Sequence, residues 1–313
     1  HFMGFDLDPD VHITATCGGT EAMLASFMTV VNPGDKVFVF SPVYDNYIPD
    51  SILSGAQPLY EPLHPPAFSL DPTELRAAFE AGARALILCN PSNPTGKVFS
   101  REELQIIAGL AQEFDAYVIT DEVYEHITYT PHKHTYIASL PGMFERTIST
   151  GSLSKTYAVT GWRLGYAIAP PKITDGIRKV HDFLTIGAPT PLQEAAVTAL
   201  NFSMDYYQQL QVEYTQRRDL FLGYLDQAGL IYTQPQGAYY VMLDISPFDF
   251  QDDTAFCYWL TKEIGVAAVP GGSFYPLNQN GMPPVTNMAR VHFAKSSDVL
   301  TEAGERLLGL KDR

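Results

Sequence analysis

The chain has 313 residues, a length that is sufficient for a sizeable core and indicates two domains, and 46% of its residues are apolar. Its net charge of −15, from 35 acidic and 20 basic residues, argues against a general nucleic-acid-binding protein. No apolar run approaches the ~20 residues of a membrane-spanning helix, and residues 1–4 lack the charged start of a signal peptide. We therefore predict neither nucleic-acid nor membrane partners. The first residue, His1, is not a methionine, so we expect residues to be missing upstream.

The three cysteines, Cys17, Cys89 and Cys257, are far apart in the sequence. An odd number of thiols without paired spacing indicates reduced cysteines in a cytoplasmic protein rather than disulfides. Each cysteine lies among apolar residues, which favours a position in the core. His132 and His134 have no acidic or thiol residues close by, so we predict no metal site.

The first half of the chain alternates between strand and helix patterns. Short apolar and β-branched runs predict strands over residues 11–16, 36–40, 57–61, 84–89 and 116–120. A helix is predicted over residues 22–31, and another opens within residues 41–47. Two more begin at N-terminal signals, the first at Asp71 and Pro72 and the second at a capping box over residues 100–103 that leads to a helix ending near residue 114.

Two turns and one strand end carry residues suited to binding. Gly18 and Gly19 lie between the first strand and helix, where backbone N–H groups can approach an anion, although any tight turn can use two glycines. In residues 90–97, prolines fix a loop that directs Asn93 inward, or they simply form a turn. Asp121 ends a strand, where a carboxylate can pair with a protonated pyridine nitrogen or cap a helix.

The most informative stretch is residues 147–166. A β-branched run leads into small polar residues around Lys155, and Arg163 follows eight positions later, before a second apolar run. An arginine there can bind the same anion bidentately. A free lysine, with a pKa near ~10.4, is a poor nucleophile at neutral pH, but a lysine that holds a coenzyme aldehyde as an imine is reactive. The alternative is a surface lysine on a loop.

The second half predicts helices over residues 171–184, 192–201, 206–228 and 253–264, and strands over residues 237–244, 266–269 and 287–293. Arg290 interrupts the apolar alternation of the last strand, and a buried charge without a partner is costly. It is either an anion clamp or an arginine at the strand edge that pairs with one of the many acids.

Together these stretches resemble the class I/II aminotransferases, which are pyridoxal-phosphate-dependent enzymes of fold type I. The matching motifs are Gly-x-Thr-Glu at residues 18–21, Asn-Pro-Thr-Gly at 93–96, Asp121 with Tyr124, Ser-x-Ser-Lys at 152–155 and Gly-x-Arg-x-Gly at 161–165. The resemblance runs from about Val11 to the C-terminus. The branch it indicates is that of the kynurenine, glutamine and methionine aminotransferases.

The resemblance implies a role for each matching residue. Lys155 would bind the coenzyme and transfer the substrate proton as general base and acid. The other implied contacts are phosphate binding by Gly19, Thr20, Ser152 and Arg163, ring binding by Tyr44, Asn93, Asp121 and Tyr124, and binding of the substrate α-carboxylate by Arg290 with Asn93. For Tyr44, packing into the core is the alternative to stacking on the ring.

The family fold implies an α/β domain with a mostly parallel central sheet between helices, followed by a smaller α+β domain. We place the first over residues 1–190 and the second, with an interdomain helix, over residues 191–313. The family also implies a homodimer with active sites at its interface. In the family an N-terminal arm precedes the glycine turn and completes the pocket, and the given sequence begins without such a segment.

The donor preference follows from a missing arginine. Aspartate-type enzymes supply a second arginine near residues 183–188, and this sequence has Phe-Leu-Thr-Ile-Gly-Ala there. We therefore expect a neutral, aromatic or sulfur-containing L-amino acid as donor and a 2-oxo acid as acceptor. The alternatives are a pyridoxal-phosphate-dependent C–S β-lyase that uses the same residues, and a coenzyme-sensing domain of a transcription regulator.

Overall fold

The computed structural model describes residues 2–311, and two β-sheets organise them. The larger sheet contains seven strands, which are β1 (Ile13–Thr16), β2 (Lys36–Ser41), β3 (Gln57–Pro62), β4 (Ala83–Cys89), β5 (Tyr117–Asp121), β6 (Thr147–Ser152) and β7 (Gly165–Ile168). Their order across the sheet is β1-β7-β6-β5-β4-β2-β3. Strands β2 to β6 are parallel, whereas β7 is antiparallel to both β6 and β1. The predicted mostly parallel sheet is confirmed.

Helices cover both faces of this sheet. On one face lie α2 (Gly19–Val30), α3 (Tyr47–Ser54) and α7 (Pro171–Leu184), and on the other lie α4 (Pro72–Glu80) and α5 (Arg101–Glu113). Alternate residues of β4 therefore enter different cores: Ala85 and Ile87 pack on the first face, and Leu86 and Leu88 on the second. Burial on both faces explains why β4 is apolar throughout instead of alternating with polar residues.

The smaller sheet is antiparallel and belongs to the C-terminal part of the chain. Its strands, in spatial order, are β10 (Val269–Pro270), β11 (Met288–His292), β9 (Tyr240–Asp244) and β8 (Ile231–Tyr232). A separate apolar core joins it to α9 (Met204–Gln227), α10 (Asp253–Trp259) and α11 (Ser297–Leu307). The predicted domain boundary at residue 190 coincides with the start of α8 (Thr190–Leu200), and it stays a prediction.

Several predicted elements have different ends in the structure. The first strand is shorter because Val11 and His12 belong to α1 (Pro9–His12). The strand predicted from residue 237 begins only at Tyr240, since the Gly237 and Ala238 N–H groups bond to the carbonyls of Gly96 and Ile127. The strand predicted over residues 266–269 is nearly lost, because Val266 closes the π-helical turn Leu260–Ile264 that extends α10. Helix α11 was not predicted.

The remaining elements are short. One helical turn, α6 (Leu153–Thr156), follows β6 directly. The 3-10 turns are Ile137–Ser139, Phe144–Arg146, Thr160–Trp162, Gly271–Phe274 and Leu308–Leu310. Within residues 2–311, no helix combines the length and apolarity needed to cross a membrane.

Candidate active site

A cavity of about 210 Å³ lies at the carboxyl edge of the parallel strands. This edge is where α/β sheets bind ligands, because loops and helix N-termini converge there. The cavity is lined by every predicted site residue except Arg290, that is by Gly19, Thr20, Tyr44, Asn93, Asp121, Tyr124, Ser152, Lys155 and Arg163. Arg290 adjoins the same site through its hydrogen bond to Asn93. The sequence motifs therefore converge on one place.

At one end of the cavity the glycine turn meets Arg163. Gly18 has a φ of 89° and precedes α2. A Cβ atom added to Gly18 would lie 2.4 Å from Arg163 Nη2, and one added to Gly165 would lie 2.4 Å from the Gly18 carbonyl carbon. Side chains at either position would displace the guanidinium or the turn. The two glycines thus allow a positive charge to stand beside the N-terminus of a helix, which is a favourable arrangement for an anion.

Glu21 connects the glycine turn to α7 through hydrogen bonds. Its Oε2 accepts the Cys17 N–H at 2.5 Å, and its Oε1 lies 2.7 Å from both His181 Nδ1 and Thr185 Oγ1. Burial raises the pKa of Glu21, but the hydrogen bonds from Thr185, Cys17 and His181 outweigh it and lower that pKa below its ordinary value. Glu21 therefore stays ionised and links the turn to α7.

Lys155 is held by the single turn of α6. Ser152 Oγ accepts the Ser154 N–H at 3.1 Å and so caps this turn, which places Lys155 just beyond the end of β6. Burial raises the pKa of Tyr239, and the charge of Lys155 opposes that rise, so the lysine lies near this tyrosine. The half-buried amine faces the cavity between the ends of β5 and β6.

Asp121 is a buried carboxylate at the end of β5, only 6% exposed. Its Oδ2 accepts the Tyr47 hydroxyl at 2.7 Å, and its Oδ1 accepts the Val123 N–H at 3.4 Å. Burial raises the pKa of Asp121, and the Tyr47 and Val123 hydrogen bonds and the charge of Lys155 partly reverse that rise. Both hydrogen-bond donors are neutral, and the second bond is long. Asp121 can therefore accept a further, cationic N–H donor from the cavity.

Arg290 of β11 is fixed in position beside the cavity. Its Nη1 donates to Asn93 Oδ1 at 2.7 Å, and its guanidinium lies 4.5 Å from the ring centroids of both Tyr240 and Phe274. None of the ion pairs found within residues 2–311 involves Arg290. Burial raises the pKa of Asp45 and the charge of Arg290 opposes that rise, so an acid lies near Arg290, and its role as an anion clamp stays a prediction. The guanidinium keeps donors available for a ligand carboxylate.

Tyr44 and Tyr124 complete the walls. Tyr44 precedes α3 instead of lying inside it, and it lines the cavity while packing partly against the apolar core below. Tyr124 is buried, and its hydroxyl lies 2.9 Å from that of Tyr240. Packing of Tyr44 against the core is thus partly confirmed, and its stacking on the ring stays a prediction.

Sequence reasoning missed Tyr47 and Tyr240, and it misplaced two cysteines. Cys257 is buried in the core as predicted, but Cys89 lines the cavity and Cys17 is half-buried. Cys89 ends β4 opposite Asp121 in the parallel register, so its position at a strand end could have indicated the site. Its side chain also packs partly against the apolar core on that face of the sheet.

Comparisons with known proteins agree with this geometry. The sequence profile of the aminotransferase class I and II family matches residues 1–307. The chain is 36% identical to the methionine aminotransferase of Escherichia coli over 97% of this chain and 78% of that protein. It is 34% identical to the kynurenine–oxoglutarate transaminase of Dictyostelium discoideum over 99% of this chain and 79% of that protein.

A solved structure shows the same fold. The N-succinyldiaminopimelate aminotransferase of Mycobacterium tuberculosis superposes with a TM-score of 0.93 and 36% identity, over 98% of this chain and 80% of that one. The relatives include the predicted kynurenine and methionine branch. A profile matched almost end to end, close relatives in sequence and a shared fold together establish that this chain belongs to the class I and II aminotransferases, pyridoxal-phosphate-dependent enzymes of fold type I.

Proposed function

We propose that the cavity binds pyridoxal phosphate together with a neutral, aromatic or sulfur-containing L-amino acid, whose amino group passes to a 2-oxo acid. Pyridoxal phosphate, when bound, supplies an aldehyde for the amine and a ring that delocalises the electrons of a broken Cα–H bond. The observation that carries the proposal is that Lys155, Asp121 and Arg163 line one cavity. An amine, a buried carboxylate and a guanidinium suit the aldehyde, the ring nitrogen and the phosphate, respectively.

The donors at the α2 end fit the phosphate. Backbone N–H groups of Gly19 and Thr20 begin a 12-residue helix, and Ser152 and Arg163 line the cavity beside them. A helix N-terminus combined with a hydroxyl and a guanidinium suits an anionic group. These four residues would hold the phosphate and fix the orientation of the ring.

The β5 end fits the ring. Asp121 would hold the ring nitrogen in its protonated form, because no cation within residues 2–311 is hydrogen-bonded to this buried carboxylate. Asn93 and Tyr124 would contact the ring oxygen, and Tyr44 would lie against the ring face. The acid and the two polar groups would together hold the ring.

Lys155 would have two roles in turn. Its amine would hold the coenzyme aldehyde before substrate arrives. Once free, the same amine would act first as the general base and then as the general acid for the substrate Cα proton. The turn of α6, capped by Ser152, holds Lys155 at the cavity.

Arg290 would bind the substrate α-carboxylate. Its bond to Asn93 and its two aromatic neighbours hold the guanidinium still, so little ordering entropy is lost on binding. A bidentate arginine orients the substrate so that its Cα–H bond stands across the ring plane.

Replacing Arg290 by glutamine is expected to raise KM for the amino acid about a hundredfold, since a buried charge-assisted pair is lost. Initial rates over a range of donor concentrations give this value. Arg84 is a matched control, because its guanidinium also lies over a tyrosine ring, 4.7 Å from Tyr117, but away from the cavity. An unchanged KM in the Arg290→Gln variant would refute carboxylate binding by Arg290.

The donor preference rests on the cations around the cavity. Among the cavity-lining residues of the described chain, Lys155 and Arg163 are the cationic ones, and both have other roles. The segment 183–188 contains no arginine for a distal carboxylate. The aromatic rings of Tyr44, Tyr240 and Phe274 near Arg290 favour apolar or aromatic side chains instead.

A transamination screen tests this preference directly. Amino acids are supplied with 2-oxoglutarate and other 2-oxo acids, and the oxo-acid products are measured. We expect methionine, glutamine or aromatic donors to exceed aspartate by at least tenfold in kcat/KM. Cysteine conjugates supplied without an oxo acid test the β-lyase alternative, which requires release of pyruvate.

We also propose that the enzyme is a homodimer. Exposed apolar side chains cluster at the end of α7 and on the following helix, with Phe183 92% and Ile186 83% exposed. Leu184, Val197, Leu200 and Phe202 extend this apolar surface. Burying such a surface against a second copy is favourable, and Cys17 Sγ, next to the glycine turn of the site, lies 3.8 Å from the carbonyl of Gly187, which follows Ile186 of this surface in the sequence. Sedimentation velocity is expected to give twice the chain mass.

The cytoplasm is the proposed location. Cys17, Cys89 and Cys257 are all free thiols. Proteins of oxidising compartments tend to pair their cysteines, so three free thiols suit a reducing compartment. Localisation of the tagged natural protein in its own cells tests this, and a secreted signal would refute it.

A further inference from the structure

Tyr47 connects a helix to the acid of the site. It is the first residue of α3 and only 2% exposed, and its hydroxyl donates to Asp121 Oδ2 at 2.7 Å. The two residues are 74 positions apart, and their bond joins the start of α3, which packs against α2 and β3, to the end of β5. None of the roles proposed above uses this phenol.

The phenol is held rigidly. The Tyr44 ring meets the Tyr47 ring edge to face, with centroids 5.6 Å apart. On another side lies Cys89, which pairs with Asp121 across β4 and β5 and accepts the Asn93 N–H at 3.5 Å. Burial, together with the Asp121 charge, raises the pKa of Tyr47 well above its ordinary value, so the phenol is the donor and the carboxylate the acceptor.

We propose that Tyr47 is a positioning residue that fixes the rotamer of Asp121 and leaves Oδ1 for the ring nitrogen of the coenzyme. This inference rests on the proposed role of Asp121. Tyr47 occupies Oδ2, whereas the Val123 N–H makes only a long bond to Oδ1. Oδ1 is therefore the oxygen that remains for a ligand in the cavity. Without the phenol, either oxygen could turn away.

The charge of Asp121 depends on the same bond. Burial raises the pKa of Asp121, and the Tyr47 hydrogen bond is the largest of the effects that oppose it. The titratable and charged groups around Asp121 on the neighbouring elements are Tyr44, Tyr47, Asp50, Cys89, Glu122 and Lys155. Removing the phenol raises the pKa of Asp121 further. The carboxylate then loses its charge at a higher pH as the solution is acidified.

The test replaces Tyr47 by phenylalanine and titrates coenzyme-free protein with pyridoxal phosphate over a range of pH. A hydrogen bond to a charged group is lost, so we expect Kd at neutral pH to rise about tenfold to a hundredfold. The acid limb of binding and of kcat moves to higher pH, while KM for the amino donor is unchanged because Arg290 is untouched. Unchanged Kd and an unmoved acid limb would overturn the proposal.

Tyr129 provides the matched control. Its hydroxyl also makes a buried bond, to the Ala238 carbonyl at 2.6 Å, but it lies outside the cavity. Tyr129→Phe tests for general loss of packing and is expected to keep the pH profile of the parent. A shift as large as that of Tyr47→Phe would show that any lost tyrosine hydroxyl has this effect, which contradicts the proposal.

A double-mutant cycle tests whether Tyr47 acts through Asp121. In an Asp121→Ala background the phenol has no carboxylate to orient, so adding Tyr47→Phe is expected to leave Kd unchanged. An effect as large as in the parent would overturn the proposal.

If Tyr47→Phe fails to fold, a fluorinated tyrosine at position 47, a stronger donor, replaces it. It should move the acid limb to lower pH, and a shift to higher pH would contradict us. Loss of activity in Lys155 variants is a separate test of the proposed function.

Discussion

Replacing Lys155 by alanine is expected to lower turnover about ten-thousandfold, because one side chain supplies both the covalent attachment and the proton transfer. The visible absorbance that pyridoxal phosphate acquires on the parent enzyme should disappear as well. The half-buried amine follows β6 on the single turn of α6, and no other lysine lines the cavity within the described chain. Another amine therefore has no route to the same position.

Two comparisons make this result specific. Lys172→Ala removes an exposed lysine from the first turn of α7 and should leave both absorbance and turnover unchanged. Lys155→Arg keeps the positive charge without a nucleophilic amine, and it should be as inactive as the alanine variant. If the arginine variant kept substantial activity, Lys155 would act only as a charge and the proposed role would be wrong.

Replacing Asp121 by asparagine is expected to lower kcat about a thousandfold. Asparagine keeps the size of the side chain and an oxygen for the Tyr47 hydroxyl, but it has no charge to stabilise a protonated ring nitrogen. The effect should appear in kcat more than in KM for the amino acid, since Arg290 lies on a different strand. Steady-state kinetics with a saturating oxo acid separates the two parameters.

Asp50 is the matched control for this change. It is another buried carboxylate, 3% exposed, and it lies on α3 outside the cavity lining. Burial raises the pKa of Asp50 to about 7, and its charge interacts with that of Asp121. Asp50→Asn therefore removes a nearby acid and leaves the cavity-lining residues unchanged. We expect kcat within a few-fold of the parent. Similar losses in both variants would mean that general electrostatics, and not the position of Asp121, controls the rate.

The local motifs predicted much of the site from sequence. Asn93, Asp121 and Lys155 each sit in a short stretch whose turn or strand-end chemistry is visible in neighbouring residues, and the structure places all three around one cavity. Their roles stay predictions until the variants are measured. The strand–helix alternation likewise gave most elements of the larger sheet within a few residues.

The contacts between distant elements were not predictable in this way. Tyr47 reaches Asp121 across 74 residues, and Tyr240 reaches Tyr124 across 116. Nothing in the residues beside either tyrosine indicates its partner, because helix packing and sheet pairing decide these contacts. Contacts outside the strand also shortened the one predicted to end at Val269. The N–H of Val266 bonds to the Leu260 carbonyl of a π-helical turn, so that the observed strand begins only at Val269.

The reversed direction of β7 limits how the gene for this protein can be edited. Ser152 pairs directly with Gly165, so the chain leaves the sheet after β6 and re-enters it at the same edge. Lys155 and Arg163 both stand in the intervening segment, and its length sets the gap between amine and guanidinium. Insertions there would move Lys155 and Arg163 apart. Mutant libraries should therefore keep the number of residues between positions 153 and 164 unchanged.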